Sequence, residues 1–269
     1  MRRFVLFLFI FFLVCGIIAQ AEEWDTLKST HFVVYYKKAP EDFVKKISDR
    51  AEELYNKITA DLGFNRFDFW LWDNRAKIYI YDDAVQFQTT TGNPAWVGGV
   101  AIPKLKTIAT FYYAKNTDYS PQVSLPDFLN QGLPHEMTHI IFREFVGFSN
   151  TAIPLWLEEG VASYQEKDKY DKVYALLKYW RSEKRFMDLK KLSQFSALSG
   201  IDDKTAGVFY AEAFTVVDFL MKEFGRDRFV LFCQNLRDKK NFEQALVSTY
   251  SLRDIGELDS AWQRYLWHE

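Results

Sequence analysis

The sequence predicts an α+β fold: an N-terminal part built on a mostly antiparallel sheet with one helix, followed by a helical C-terminal part. Three observations predict it. Short runs rich in β-branched and aromatic residues crowd the segment from His31 to Tyr113, whereas from Leu125 onward apolar residues recur at helical spacing. Strands first and helices afterward is the order expected of an α+β chain. With 269 residues, 48% hydrophobic and 26% charged, there is enough apolar material for a sizeable core, and a disordered or low-complexity chain is excluded.

The elements follow in order. Residues 1–21 read as a targeting segment. Arg2 and Arg3 precede the unbroken apolar run Phe4 to Ile18, and Ala19-Gln20-Ala21 places small residues at both recognition positions for cleavage before Glu22. The run is shorter than the roughly 20 residues that span a bilayer, which favours a cleaved signal peptide over a permanent anchor; an uncleaved leader would tether the chain to a membrane. Cys15 follows Val14, where a lipoprotein site wants a small residue. Without the leader, Cys233 is the one remaining cysteine, in an apolar helical stretch, so no internal disulfide is expected and the thiol reads as a core residue.

Expected strands are His31–Tyr36, Phe67–Trp72, Lys77–Tyr81, Trp96–Ala101 and Thr107–Tyr113, with a helix over Glu41–Leu62 that Gly63 ends. Asn116 to Pro126 reads as a loop, dividing a mature domain of residues 22–269 into a strand-rich part (22–122) and a helical part (123–269). Pro134 and Pro154 each suit the first turn of a helix, and Gly147 ends the first of these. Later helices are expected over about 207–223, 226–236, 242–247 and 255–267. The formal net charge is −2. No nucleic-acid motif or basic aromatic patch is apparent, so no nucleic-acid partner is expected. Aromatic residues make up 18% of the chain, which reads first as a thick core.

The sharpest chemical signal is His135-Glu136-Met137-Thr138-His139, which uses two of only four histidines. Residues four apart on an α-helix lie on one face, so both imidazoles can share a metal ion. Glu136, offset by one position, can reach a water at that metal without ligating it, the placement of a general base. A third ligand is needed. A further histidine in an H-E-x-x-H-x-x-G-x-x-H extension is excluded, because Phe142 and Phe145 stand at the Gly and His positions. The adjacent carboxylates of Glu158 and Glu159, in Pro154-Leu155-Trp156-Leu157-Glu158-Glu159-Gly160, are the candidates. A His₂-carboxylate set suits zinc, with iron or manganese left open by the ligands alone.

Leu133 to His139, followed by Trp156-Leu157-Glu158-Glu159-Gly160-Val161-Ala162-Ser163-Tyr164, resembles the gluzincin branch of HExxH zinc metallopeptidases, and within it the peptidase MA-like family. The resemblance implies a zincin-like fold with the metal cleft between the two parts. It maps the third ligand to Glu159 and leaves Glu158 as a solvent or outer group. Gly98-Gly99-Val100-Ala101 and Thr107-Ile108-Ala109-Thr110 resemble the family's strand pair before the metal helix, the first strand running beside the cleft, although an ordinary hairpin arm fits equally. The aminopeptidase signature Gly-x-Met-Glu-Asn is missing there, so an endopeptidase is expected. Val208 to Phe214 resembles a helix start that aims a phenol into the cleft; Tyr210 is then a candidate oxyanion donor, with a core phenol as the plain alternative. Glu212 is either an imidazole-orienting carboxylate or a surface acid, and His31 and His268 read as incidental.

The expected function is an exported zinc metallopeptidase acting on peptide or protein substrates, with Glu136 and Tyr210 catalytic and His135, His139 and Glu159 holding Zn2+. Two other readings stand beside it. One is a non-catalytic, metal-retaining binding module of the cell envelope; the other is a metal-dependent hydrolase of a non-peptide amide.

Overall fold

A computed structural model describes residues 23–64, 70–93, 98–112, 124–166, 169–183, 186–198 and 200–268. The leader of residues 1–21, Phe67 to Phe69, Trp96 and most of the Asn116–Pro126 loop lie outside the described residues. The strand-rich part runs β1 (Asp25–Lys28), β2 (Phe32–Tyr36), α1 (Glu41–Leu62), β3 (Ala76–Tyr81), α2 (Ala84–Thr91), β4 (Gly99–Ile102) and β5 (Thr107–Phe111). Helices then follow: α3 (Leu125–Asp127), a π-helical turn over Phe128–Gly132, α4 (Leu133–Val146), α5 (Leu155–Tyr164), α6 (Lys169–Ser182), α7 (Leu189–Leu192), α8 (Asp203–Phe224), α9 (Arg226–Lys239), α10 (Phe242–Tyr250) and α11 (Ile255–His268).

The α+β arrangement is the expected one, but the sheet is mixed rather than mostly antiparallel. Its order is β1-β2-β3-β5-β4. β2 with β3 and β3 with β5 pair parallel; β1 with β2 and β4 with β5 pair antiparallel. The reason is α1, which returns the chain to the start of the sheet and so lays β3 parallel to β2, as a crossover helix does. Phe43, Ile47, Leu54 and Ile58 of α1 are buried against one face of the sheet. The expected strand at 67–72 is not one in its described remainder: Leu71 leads into a 3-10 turn over Trp72–Asn74, and Trp70 is a buried core residue. β1, α2, α6 and α7 were not anticipated. One core cluster draws on both parts of the chain, from Phe32 to Leu266, and includes Cys233. Among the described residues no helix is long and apolar enough to cross a membrane.

Two close approaches position the site. The ring of Phe128, fully buried, lies against Gly99 of β4, where a Cβ would come within 2.8 Å of its Cε2. The absence of a side chain at Gly99 thus lets the edge strand settle onto the π-helical turn that leads into α4. On the other side, a Cβ at Gly160 of α5 would stand 2.3 Å from the carbonyl oxygen of Ala213. Only glycine allows α5 and α8 to pack backbone to backbone at this point, and that contact sets where α5 presents its glutamates.

Candidate metal centre

His135 and His139 project from one face of α4, four residues apart, as the helical repeat requires. Their Nε2 atoms lie 3.2 Å from each other. Glu159, from α5, brings Oε2 to 3.4 Å from the first and 3.7 Å from the second. Three ligands on a tetrahedron of radius 2.0–2.1 Å stand about 3.3 Å apart, so the triangle already has nearly the dimensions of a zinc site. Glu159 Oε2 is buried and has no hydrogen-bond partner, an arrangement that is costly unless a cation completes it. His135, His139 and Glu159 are the residues that could hold a metal.

The other ring nitrogens face outward to carboxylates. His135 Nδ1 donates to Glu166 Oε1 at 2.9 Å. His139 Nδ1 lies 3.7 Å from Glu158 Oε1, and Glu158 is gripped by Arg143 through Nε at 2.7 Å and through Nη2. The hydrogen bond to Glu166 orients Nε2 of His135 toward the common point. Four carboxylates and one guanidinium thus surround two imidazoles, a surplus of negative charge that calls for a cation. Burial would lower the pKa of His135, but the carboxylates of Glu159, Glu166 and Glu136 overcome it and push it up to about 10. Burial opposes the charge on Glu158 as well, yet His139 and Arg143 draw its pKa down to about 2.

Glu136 Oε2 accepts the backbone N–H of Ala101, in β4, at 2.6 Å. Burial raises its pKa and the two imidazoles moderate the rise, so the carboxyl is disposed to take up a proton and give it back. β4 is the last strand of the sheet in its described order, and Ala101 directs its N–H outward, toward α4. Tyr210 of α8 sets its ring 6.4 Å from that of His135, centroid to centroid. Burial, then the charges of Glu159, Glu136 and Glu166, raise the pKa of its phenol, so it holds its proton as a hydrogen-bond donor.

The structure therefore brings together His135, Glu136, His139, Glu159 and Tyr210. Glu158 takes the outer position expected of it, as Arg143's partner. Glu212 neither orients an imidazole nor lies at the surface. It is fully buried and accepts the N–H of Met187 at 2.8 Å, because two residues along a helix from Tyr210 is a turn of about 200°, onto the opposite face. His31 pairs with Glu52 at 2.6 Å and stacks on Tyr55, apart from the cluster. Glu166 and Arg143 were missed. Arg143 stands one helical turn after His139 and Glu166 just past the end of α5, but neither position by itself signals the contact it makes.

The family model of the peptidase MA superfamily matches residues 72–268, well over half of the chain. The chain belongs to the peptidase MA superfamily. No curated protein matches it. The matched span of this peptidase MA chain contains every residue of the cluster and reaches from the 3-10 turn before β3 to the end of α11.

Proposed function

We propose that this protein is an exported zinc metallopeptidase, and that it acts as an endopeptidase. The observation that carries the reading is the triangle of His135 Nε2, His139 Nε2 and Glu159 Oε2, with a general base beside it. The three residues would hold Zn2+, which when bound supplies Lewis acidity that polarises a carbonyl and acidifies a water. Glu136 accepts the attacking water's proton on its carboxylate and passes it to the nitrogen of the leaving amine. Tyr210 donates its phenolic hydrogen to the oxygen that becomes negative as the carbonyl carbon turns tetrahedral. Glu166 holds the imidazole of His135 in orientation. Apart from the N–H of Ala101, which Glu136 takes, the outward edge of β4 suits pairing with an extended peptide, and its residues Gly99 to Ile102 include no acid to fix a free amino terminus. The leader of residues 1–21 supports export.

The test is a cleavage screen with peptides blocked at both ends beside the same peptides with free amino termini, run on the wild type and on Glu136→Gln. Cleavage of internal bonds by the wild type, lost by at least about 1,000-fold in the variant while metal content is kept, is the expected result. Cleavage only of peptides with free amino termini would overturn the endopeptidase assignment. Equal activity in the variant would remove Glu136 from the mechanism.

A further inference from the structure

On the side of His139 away from the three converging atoms lies a second cavity of about 650 Å3, within the 300–1,000 Å3 typical of small-molecule sites. Among the described residues neither β4, Glu136 nor Tyr210 lines it, so it is separate from the cleft of the proposed reaction. Its inner wall is the Arg143–Glu158 pair; Ile153, Phe195 and Phe242 give it apolar sides; the exposed Lys190 stands at the wall.

The charged groups on the wall balance, Arg143 and Lys190 against Glu158 and Glu243, but the two cations keep donors to spare. Arg143 gives one N–H to each oxygen of Glu158 and one to the carbonyl of Asn150. A guanidinium has five N–H groups, so two are uncommitted. Lys190 makes no ion pair among the described residues, and Arg143 bonds both oxygens of Glu158. Glu243, also on the wall, opposes a second negative group and so favours a ligand with a single charge. We propose that this cavity binds a monocarboxylate with a compact apolar body, and that its occupancy is transmitted to His139 through Arg143 and Glu158. A peptide ending in an apolar residue and a short fatty acid both present this chemistry. A carboxylate on the uncommitted N–H groups shares the guanidinium with Glu158. Glu158 Oε1, at 3.7 Å from His139 Nδ1, then turns to accept that N–H, which strengthens the ring as a metal donor. The effect on the metal rests on the metal-centre reading; binding in the cavity does not.

Calorimetric titration of the metal-free protein with N-acetylphenylalanine and with octanoate, each beside its neutral amide, tests the binding. At least one carboxylate is expected to bind with Kd below about 1 mM, its amide at least tenfold more weakly. Lys190→Glu and Ser196→Trp, both at exposed positions on the wall, are each expected to weaken it tenfold or more. Binding of N-acetylphenylalanine alone identifies the peptide terminus as the source, and of octanoate alone the fatty acid. No binding by either, equal binding by the amides, or indifference to both substitutions overturns the site. Transmission is read in the same metal-free protein from the His139 ring signals in NMR, which are expected to shift on ligand addition; unmoved signals overturn it. With Zn2+ present, the ligand is expected to tighten metal affinity two- to tenfold in chelator competition, and Zn2+ to tighten the ligand equally. Failure to take up Zn2+ in any form would count against the metal-centre reading and leave the calorimetric and NMR results to decide this one.

Discussion

The two histidines of the metal helix differ in what stands behind them. Glu166 accepts from His135 Nδ1 at 2.9 Å, whereas Glu158 Oε1, gripped by Arg143, stands 3.7 Å from His139 Nδ1. Glu166 is therefore the stronger orienting group, and Glu166→Gln is expected to lower Zn2+ affinity by about 10- to 100-fold. Chelator competition measures it, and an unchanged affinity would remove Glu166 from the site's support. A second residue reports on stability alone. Burial raises the pKa of Glu212 to about 9, with the N–H of Met187 and Lys191 opposing and Asp259 and Asp188 adding to the rise. The folded state then holds a proton that the unfolded chain releases near pH 4.5, so this group makes stability fall as pH rises from about 4.5 to 9. Glu212→Gln keeps an acceptor for Met187 and has no charge to bury. It is expected to be more stable than the wild type by about 2 kcal/mol or more at pH 8, with the gain vanishing toward pH 4. Denaturant unfolding at the two pH values checks this.

At the scale of elements, the site depends on how three helices and one edge strand meet. Gly160→Ala would drive a methyl group into the Ala213 carbonyl and Val217. It is expected to cost about 2–3 kcal/mol and to weaken metal binding as well, because Glu159 precedes it; a thermal melt with and without Zn2+ separates the two effects. This scale also shows what could be read from the residues. His135, Glu136 and His139 were legible because one helical turn fixes their relation, and Glu159 followed once the resemblance was seen. Glu166 and Arg143 were not, because their contacts require α5 to lie antiparallel on α4, a tertiary fact that no local spacing encodes. Strand positions were largely legible from apolar runs, but not their direction: alternation places side chains on faces without stating which neighbour a strand joins. β1 (Asp-Thr-Leu-Lys) carries one apolar residue, and α2 has no long apolar stripe, relying on the Asp83 cap.

For the whole molecule, the strand-rich and helical parts share one core, and the superfamily match crosses from one into the other. The sheet's part in the centre is to place β4 beside the metal helix; the helical part brings Glu159, Glu166 and Tyr210 to the opposite side. The central claim is that this shared site holds a metal. Elemental analysis of the purified protein beside Glu159→Ala tests it most directly. The account predicts one Zn2+ per chain in the wild type and at least a tenfold loss of affinity in the variant, with the fold kept. A wild type that carries no metal and takes up none on dialysis against Zn2+ would contradict it.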